Sequence, residues 1–453
     1  MKIQWFRSAT VGIYSKSGTS ILCDPWITDG AFIGSWFHWP PLEGFEFSEL
    51  VAKNWDALYI SHFHADHFDR KLVAKIARNN PNTKVLIPFF ENKWLKRAVE
   101  NCGFEPSRII ELPSNKKIKF LDIEVTIYVA DYCNPEICGV SIPCAPTITK
   151  LSANDSVALF EADGQKILNA NDALAVQTAH KLWPKIGKID LLLGHFGGAG
   201  PYPQCFTNLT NEEKKSEAIR TGEIFVNRLI STSNALNSRY VMPYAGQYLL
   251  GGKLSTLNEF RSVIPLTKVL QQIASNSSAQ PISLNAFGEF NLDTDSSTGD
   301  WTEPHDSVRT NYISRISSEL YPYEVNENFW EVGQQALDNA LNSVKKVFES
   351  FLNSGGIGSE SSIVVRSKGI DLSINFGKDF SSVETEAIFN NVTTIELDAR
   401  LLRRLISRKP GYKGFTQFHF NQAEIGSHLS WSRVGPYPKE TSFLNFAQNS
   451  IIY

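Results

Sequence analysis

An apolar segment, Ala57-Leu58-Tyr59-Ile60, runs straight into Ser61-His62-Phe63-His64-Ala65-Asp66-His67-Phe68-Asp69, and this junction constrains the fold more than any other stretch of the chain. Residues 57–60 read as a buried strand, short and continuously apolar. Three histidines and a carboxylate then fall within six consecutive positions, His62 to His67, although the 453 residues hold only nine histidines. Side chains alternate along an extended backbone, so His62 and His64 aim to the same side. Asp66 and His67 turn toward a second point nearby. Imidazole with carboxylate is a donor set for a borderline transition-metal ion. One strand end carrying both can serve two adjacent ions, the arrangement used to activate water or bind oxygen. A two-ion site needs further ligands from other segments.

Composition excludes several function classes. Hydrophobic residues make up 42% and charged residues 20%, ordinary values for a globular protein. The 44 Lys plus Arg against 47 Asp plus Glu leave a charge of -3, with no basic excess for a nucleic-acid partner. No apolar run is long enough to span a membrane, and the amino terminus has no leader-like pattern. The six cysteines are scattered without a two-residue zinc or iron–sulfur spacing, as expected for thiols in a reducing cytoplasm. The length predicts more than one core. Three parts are expected: an α/β catalytic part over residues 1–265, an irregular Ser/Thr/Asp/Gly-rich connection over 266–328, and a small α+β part over 329–453.

The first part alternates short strands and helices. Strands are predicted at 12–14 and 21–23, a helix at 70–79 stopped by Asn80-Pro81, and a hairpin over 157–169 turning at Ala162-Asp163-Gly164. A short buried strand at 191–193 delivers His195, and a long helix begins at 211. In the third part a helix is expected at 329–352, followed by strands at 362–366, 371–376 and 392–397. A helix at 398–407 and extended segments at 414–420 and 424–431 complete it. That pattern is similar to sterol-carrier-type modules.

The His-x-His-x-Asp-His pattern of residues 62–67 resembles the metallo-β-lactamase superfamily. The resemblance implies a four-layer αββα sandwich, with a smaller C-terminal α+β domain after it, and metals at one edge of the packed sheets. It implies His62, His64, Asp66, His67, Asp172 and His195 as metal ligands, with Asp172 as the bridge and Asp66 and His67 in the catalytic role. A carboxylate suits a bridge because each oxygen can bind one cation. Another histidine is expected near residues 130–136, where none occurs. Asn134 stands there as a weaker donor, so the first metal binds loosely, is absent, or borrows Cys133 or Asp131. The cofactor is thus one or two divalent ions, zinc or iron.

Further stretches narrow the resemblance. Asp24-Pro25-Trp26, Trp36-Phe37-His38-Trp39-Pro40-Pro41, Phe196-Gly197-Gly198-Ala199 and Pro243-Tyr244-Ala245-Gly246-Gln247-Tyr248 are similar to the catalytic portion of the CMP-N-acetylneuraminate hydroxylase family. The ascorbate-6-phosphate lactonase branch shares Asp24-Pro25 and the metal loop more distantly. The hydroxylase family carries a Rieske domain, which needs Cys-x-His type pairs. No cysteine here lies two residues before a histidine. Two activities follow as expectations. One is a metal-dependent hydrolase acting on an ester, lactone or phosphodiester. The other is an iron oxygenase fed electrons by a separate protein. A degenerate fold used for binding is a third. Trp36, His38, Tyr244, Gln247 and Lys253 are candidates for contact with a small-molecule substrate.

Overall fold

The computed structural model describes residues 1–42, 47–90, 93–129, 155–173, 179–325, 360–367, 370–376, 381–384, 386–406 and 420–434. Two mixed sheets form its centre. The first has eight strands in the order Ser296–Asp300, Leu284–Asn291, Lys2–Arg7, Thr10–Tyr14, Ser20–Cys23, Ala57–Tyr59, Lys84–Pro88 and Ile109–Leu112. Pairing is antiparallel as far as Ser20–Cys23 and parallel beyond it. The second has seven strands: Gln280–Pro281, Tyr240–Tyr244, Leu191–His195, Gln165–Asn171, Ser156–Ala162, Ile123–Val129 and Lys116–Phe120. Its first four strands are parallel and its last four antiparallel.

Alternation along each strand builds four layers. Ala57 and Tyr59 join Ile3, Val11 and Leu86 from the first sheet, and Phe160, Ile167, Leu191 and Leu193 from the second, in one core between the sheets. Leu58, between them, points outward. It packs with Leu22 and Val85 against Leu72, Val73 and Ile76 of the helix Arg70–Asn79 and Leu95 and Val99 of the helix Trp94–Glu100. On the far side Leu168, Leu192 and Val241 pack against Val226, Leu229 and Ile230 of the helix Asn211–Ala235 and Val269 and Ile273 of the helix Leu266–Asn276. Each fully buried aliphatic side chain contributes about 1.5–3 kcal/mol, so this inside–outside alternation fixes the register of both sheets. The result is the αββα sandwich expected from the metal loop. Among the described residues no helix is long and apolar enough to cross a membrane.

The hairpin over 157–169 forms as Ser156–Ala162 and Gln165–Asn171. Its turn uses Asp163 and Gly164 at φ 56° and 75°, the left-handed pair that a two-residue hairpin requires. Residues 266–328 depart from the expected irregular connection. They contain the helices Leu266–Asn276 and Asp306–Ile316, and two strands that extend the first sheet from its Lys2–Arg7 edge. Ser296–Asp300 is exposed throughout. An edge strand facing water needs no apolar face, so its polar composition reads as loop.

A third sheet holds Ser381–Glu384, Ile370–Phe376, Ser361–Ser367, Val392–Glu396 and Ser430–Val434, with the helices Ala399–Ile406 and Phe420–Ile425. The segment 424–431, expected as extended, instead ends a helix and begins a strand. Ser427, at φ 62°, makes the break between them. The helix expected at 329–352 lies outside the described residues. Ile363, Ile395, Leu401, Ala423 and Trp431 share a core with Phe206, Tyr321 and Tyr323 of the preceding part. The rings of Phe206 and Trp431 stack with centroids 5.9 Å apart.

Candidate metal centre

Parallel strands of both sheets end at one edge, where loops gather the polar side chains. Ser20–Cys23 delivers Asp24, Ala57–Tyr59 delivers the loop from Ser61 to Asp69, Gln165–Asn171 delivers Asp172, and Leu191–His195 ends on His195. The loop is tied down before any metal is considered. Asp24, fully buried, accepts hydrogen bonds from Ser61 N at 2.7 Å and Ser61 Oγ at 2.9 Å. His67 N and Phe68 N both donate to His64 O, closing a tight turn that brings His67 back beside His62. Asp69 accepts from Lys71 N and Leu72 N and so caps the helix Arg70–Asn79. Across the sandwich, Ser156 Oγ donates to Ser61 O at 2.8 Å, setting the start of the strand Ser156–Ala162 against the loop.

Two groups of donor atoms result, each within 4.8 Å: His62, His64 and Asp155, and His62, His67 and Asp172. His62 Nε2 lies 2.8 Å from His64 Nδ1 and 3.4 Å from Asp155 Oδ1. His67 Nε2 lies 3.3 Å from Asp172 Oδ2 and 3.5 Å from Asp66 Oδ2. The outward nitrogens are all engaged. His62 Nδ1 meets Ser61 Oγ at 2.9 Å, His64 Nε2 meets Asn421 Oδ1 at 2.9 Å, His67 Nδ1 meets Asp24 Oδ2 at 3.0 Å, and His195 Nδ1 meets Asn171 O at 2.8 Å. Metal-binding imidazoles are oriented in this way, with the second nitrogen held by a carboxylate, carbonyl or similar partner. Among buried atoms, His67 Nε2 and Asp66 Oδ1 have no hydrogen-bond partner. Buried polar atoms left unpaired are costly, and a cation between them satisfies both. The donor set suits a divalent metal cation.

The charges respond to the crowding. Burial, the largest effect, opposes a charged His67, yet the carboxylates of Asp66, Asp172 and Asp24 outweigh it and hold the imidazole well above its usual range. For Asp172, burial favours the neutral acid, but the neighbouring His67, His195 and His62 pull the carboxyl far down. Asp155 is pushed up to about 7, by burial first and then by the charge of Asp172. The cluster thus favours a positive charge among its carboxylates.

The structure brings His62, His64, Asp66, His67 and Asp172 together and places His195 at the same edge, outside the two close groups. Asn134, with Asp131 and Cys133, lies outside the described residues. Asp155, which the sequence reading did not name, stands beside His62 and His64. It escaped sequence reading because Asn154-Asp155-Ser156 looks like a turn. The available signal was its place immediately before the hairpin whose other end carries Asp172. Asp24, noted only as part of the Asp24-Pro25 stretch, and Asn421 were given no role at the site either.

Trp36 and His38 sit in a short strand paired with Tyr248–Leu250. Trp36 stacks on Tyr248, and both ring nitrogens of His38 are buried without a partner. Tyr244 is buried and donates to Asn169 Oδ1 and Asn171 Oδ1, below the cluster rather than open to a ligand. Gln247 is half-buried. Lys253 is exposed and pairs with Glu324 at 2.9 Å, which commits its charge to a neighbouring segment. The glycines after His195 stand at a close approach between two loops. Gly197 admits the next loop: a Cβ there would lie 2.7 Å from Gly246 O.

No family model matches the chain. A Rieske 2Fe-2S iron–sulfur protein of Mycobacterium tuberculosis is 29% identical over 253 residues, covering 54% of this chain and 44% of that protein. The cytidine monophosphate-N-acetylneuraminic acid hydroxylase of Xenopus laevis is 25% identical over 244 residues, covering 50% of this chain and 35% of the enzyme. The match therefore spans less than half the length of either relative. Among solved structures, CmlA, a diiron β-hydroxylase from Streptomyces venezuelae, overlaps 66% of this chain and 54% of its own with a TM-score of 0.41 at 16% identity. Igni18, a metallo hydrolase from Ignicoccus hospitalis, overlaps 64% of this chain and 98% of its own with a TM-score of 0.42 at 14% identity. The chain has the αββα sandwich of the metallo-β-lactamase fold, and about half of it is similar in sequence to cytidine monophosphate-N-acetylneuraminic acid hydroxylase.

Proposed function

We propose that the protein is an iron-dependent oxygenase that hydroxylates a small molecule, with electrons delivered by a separate polypeptide. One observation carries the metal in this reading: His62, His64 and Asp155 form a set of two histidines and one carboxylate. That donor combination occurs at non-haem iron centres and also at catalytic zinc sites; the sequence similarity to the hydroxylase and to the Rieske iron–sulfur protein favours iron. His62, His64 and Asp155 would hold one ion, and Asp66, His67 and His195 the other, with Asp172 between them. The metal pair, when bound, supplies the redox chemistry that splits dioxygen.

The chain's own residues supply the rest. Asp24 holds His67 in the tautomer that leaves Nε2 bare, and Asn171 O does the same for His195. The carboxylates of Asp66, Asp155 and Asp172 would offset the cationic charge of the ions, and the protons that oxygen reduction consumes come from solvent. A hydroxylation consumes one dioxygen, two electrons and two protons, placing one oxygen atom in the product and one in water. No Cys-x-His pair to hold a cluster occurs within these 453 residues, and this reading takes both electrons from a donor of the Rieske or similar iron–sulfur class.

A second reading is hydrolysis of an ester, lactone or phosphodiester by zinc-bound water, a chemistry that the same His/Asp donor set also suits. Stopped-flow mixing of the ferrous-loaded protein with oxygen separates the two. The oxygenase account expects oxidation of the iron within seconds and consumption of oxygen on supplying a reduced iron–sulfur protein. Inert ferrous protein, together with hydrolysis of such substrates by the zinc form, would replace it with the hydrolase.

A further inference from the structure

The helix Phe420–Ile425, from the third sheet's part of the chain, docks on the metal centre at a residue 357 positions away from it. Asn421 is 4% exposed, and its Oδ1 lies 2.9 Å from His64 Nε2. An amide oxygen only accepts, so His64 Nε2 carries the hydrogen and Nδ1, 2.8 Å from His62 Nε2, is the bare donor facing the cluster. The orientation of the amide is fixed from behind, because the Asn421 side chain also hydrogen-bonds to the carboxyl of Glu424. Glu424 is itself 4% exposed, and its Oε2 has no partner.

The docking is closely fitted. Trp36 Nε1 donates to Ile425 O at 3.3 Å, His428 Nε2 meets Phe32 O at 3.0 Å, and Gln204 Nε2 donates to Ser427 Oγ at 3.2 Å. A Cβ at Gly426 would lie 2.7 Å from Phe32 O, so backbone meets backbone there. The Phe32 ring in turn lies 6.1 Å from the ring of His64. The helix is therefore held from three sides with Asn421 aimed at the histidine.

We propose that the C-terminal module completes the metal centre, with Asn421 as a positioning residue that selects the metal-facing nitrogen of His64 and Glu424 holding the Asn421 amide in that orientation. The inference rests on the reading of the His/Asp cluster as a metal site. Loss of such an outer partner weakens metal binding by about 10–100-fold.

The test is a chelator-competition titration of the full chain with cobalt(II), read by its visible spectrum. It is paired with nitrogen-15 histidine NMR of the metal-free protein. Asn421→Ala should weaken cobalt binding about 10–100-fold and lose the Nε2–H signature of His64. Asn421→Asp, which keeps an acceptor oxygen, should restore both. Glu424→Leu adds a readout that damage to packing would not give: cobalt binding weakens while the melting temperature rises, because a buried carboxyl with one oxygen left without a partner is removed. It also carries the test should Asn421→Ala fail to fold. Cobalt affinity and spectrum unchanged in Asn421→Ala, or in Glu424→Leu, would overturn the inference alone. Failure of the unaltered protein to take up cobalt would bring down the metal reading itself.

Discussion

Asp155 changes what the cluster can hold, and the consequences are strongest when metal is absent. Its carboxyl is pushed up to about 7 by burial and by Asp172. A raised carboxyl keeps its proton in the folded state after the unfolded chain has lost it. Metal-free stability therefore falls as pH rises from the ordinary value of 3.8 toward 7. Asp155→Asn cannot ionise, so in EDTA at pH 8 it should melt above the unaltered protein, with the gain shrinking at pH 5. An unchanged or lower melting point at pH 8 would show that Asp155 is not crowded by its neighbours. Metal requires the ionised form, so the unaltered protein should bind cobalt(II) more tightly as pH rises through 7, with the dependence reduced in Asp155→Asn. At this scale the sequence was partly legible. His62, His64, Asp66 and His67 announce themselves by spacing within one loop. Asp155, Asp24 and Asn421 come from segments with no local signature, and only pairing across the sheets brings them to the same place.

Elements deliver these residues because their ends are close-packed. The loop after His195 and the loop after Tyr244 touch backbone to backbone, with Gly197 and Gly246 leaving room for each other. A methyl at residue 197 has no flexible side chain to push aside, so the loops must part. Gly197→Ala should cost about 1–3 kcal/mol, measured by urea unfolding, and should shift His195. A cost near zero would mean that the loops are not in contact. The hairpin carrying Asp172 was readable from its turn and alternation, as was the helix capped by Asp69. The strands Leu284–Asn291 and Ser296–Asp300 were not, because their partner is the amino-terminal strand and their outer edge faces water. Helix Phe420–Ile425 was missed for a similar reason: its apolar face is completed by another part of the chain.

The whole molecule couples the third sheet to the sandwich through buried ionisable groups, and that coupling has a pH signature. Glu424 is pushed by burial from its ordinary 4.5 up to about 8. Between those values the folded state binds the extra proton, so stability falls as pH rises. Burial pulls His428 down from 6.5 to about 4, and its contribution to stability rises with pH across that lower window. Above 6.5 His428 is neutral in both states and no longer offsets the Glu424 effect. Melting temperature should therefore drop between pH 6.5 and 8, and Glu424→Gln should flatten that drop. An equal drop in both proteins would assign it elsewhere. Bound metal stabilises the folded chain by about 2.7 kcal/mol when present at a hundredfold its Kd, so removing it should lower the melting point further. The central claim is a two-ion centre with a carboxylate-rich ligand set that holds iron. Elemental analysis of protein purified without added metal tests it most directly. The account predicts close to two iron per chain, falling in Asp155→Ala; two zinc with no iron, or no metal above background, would contradict it.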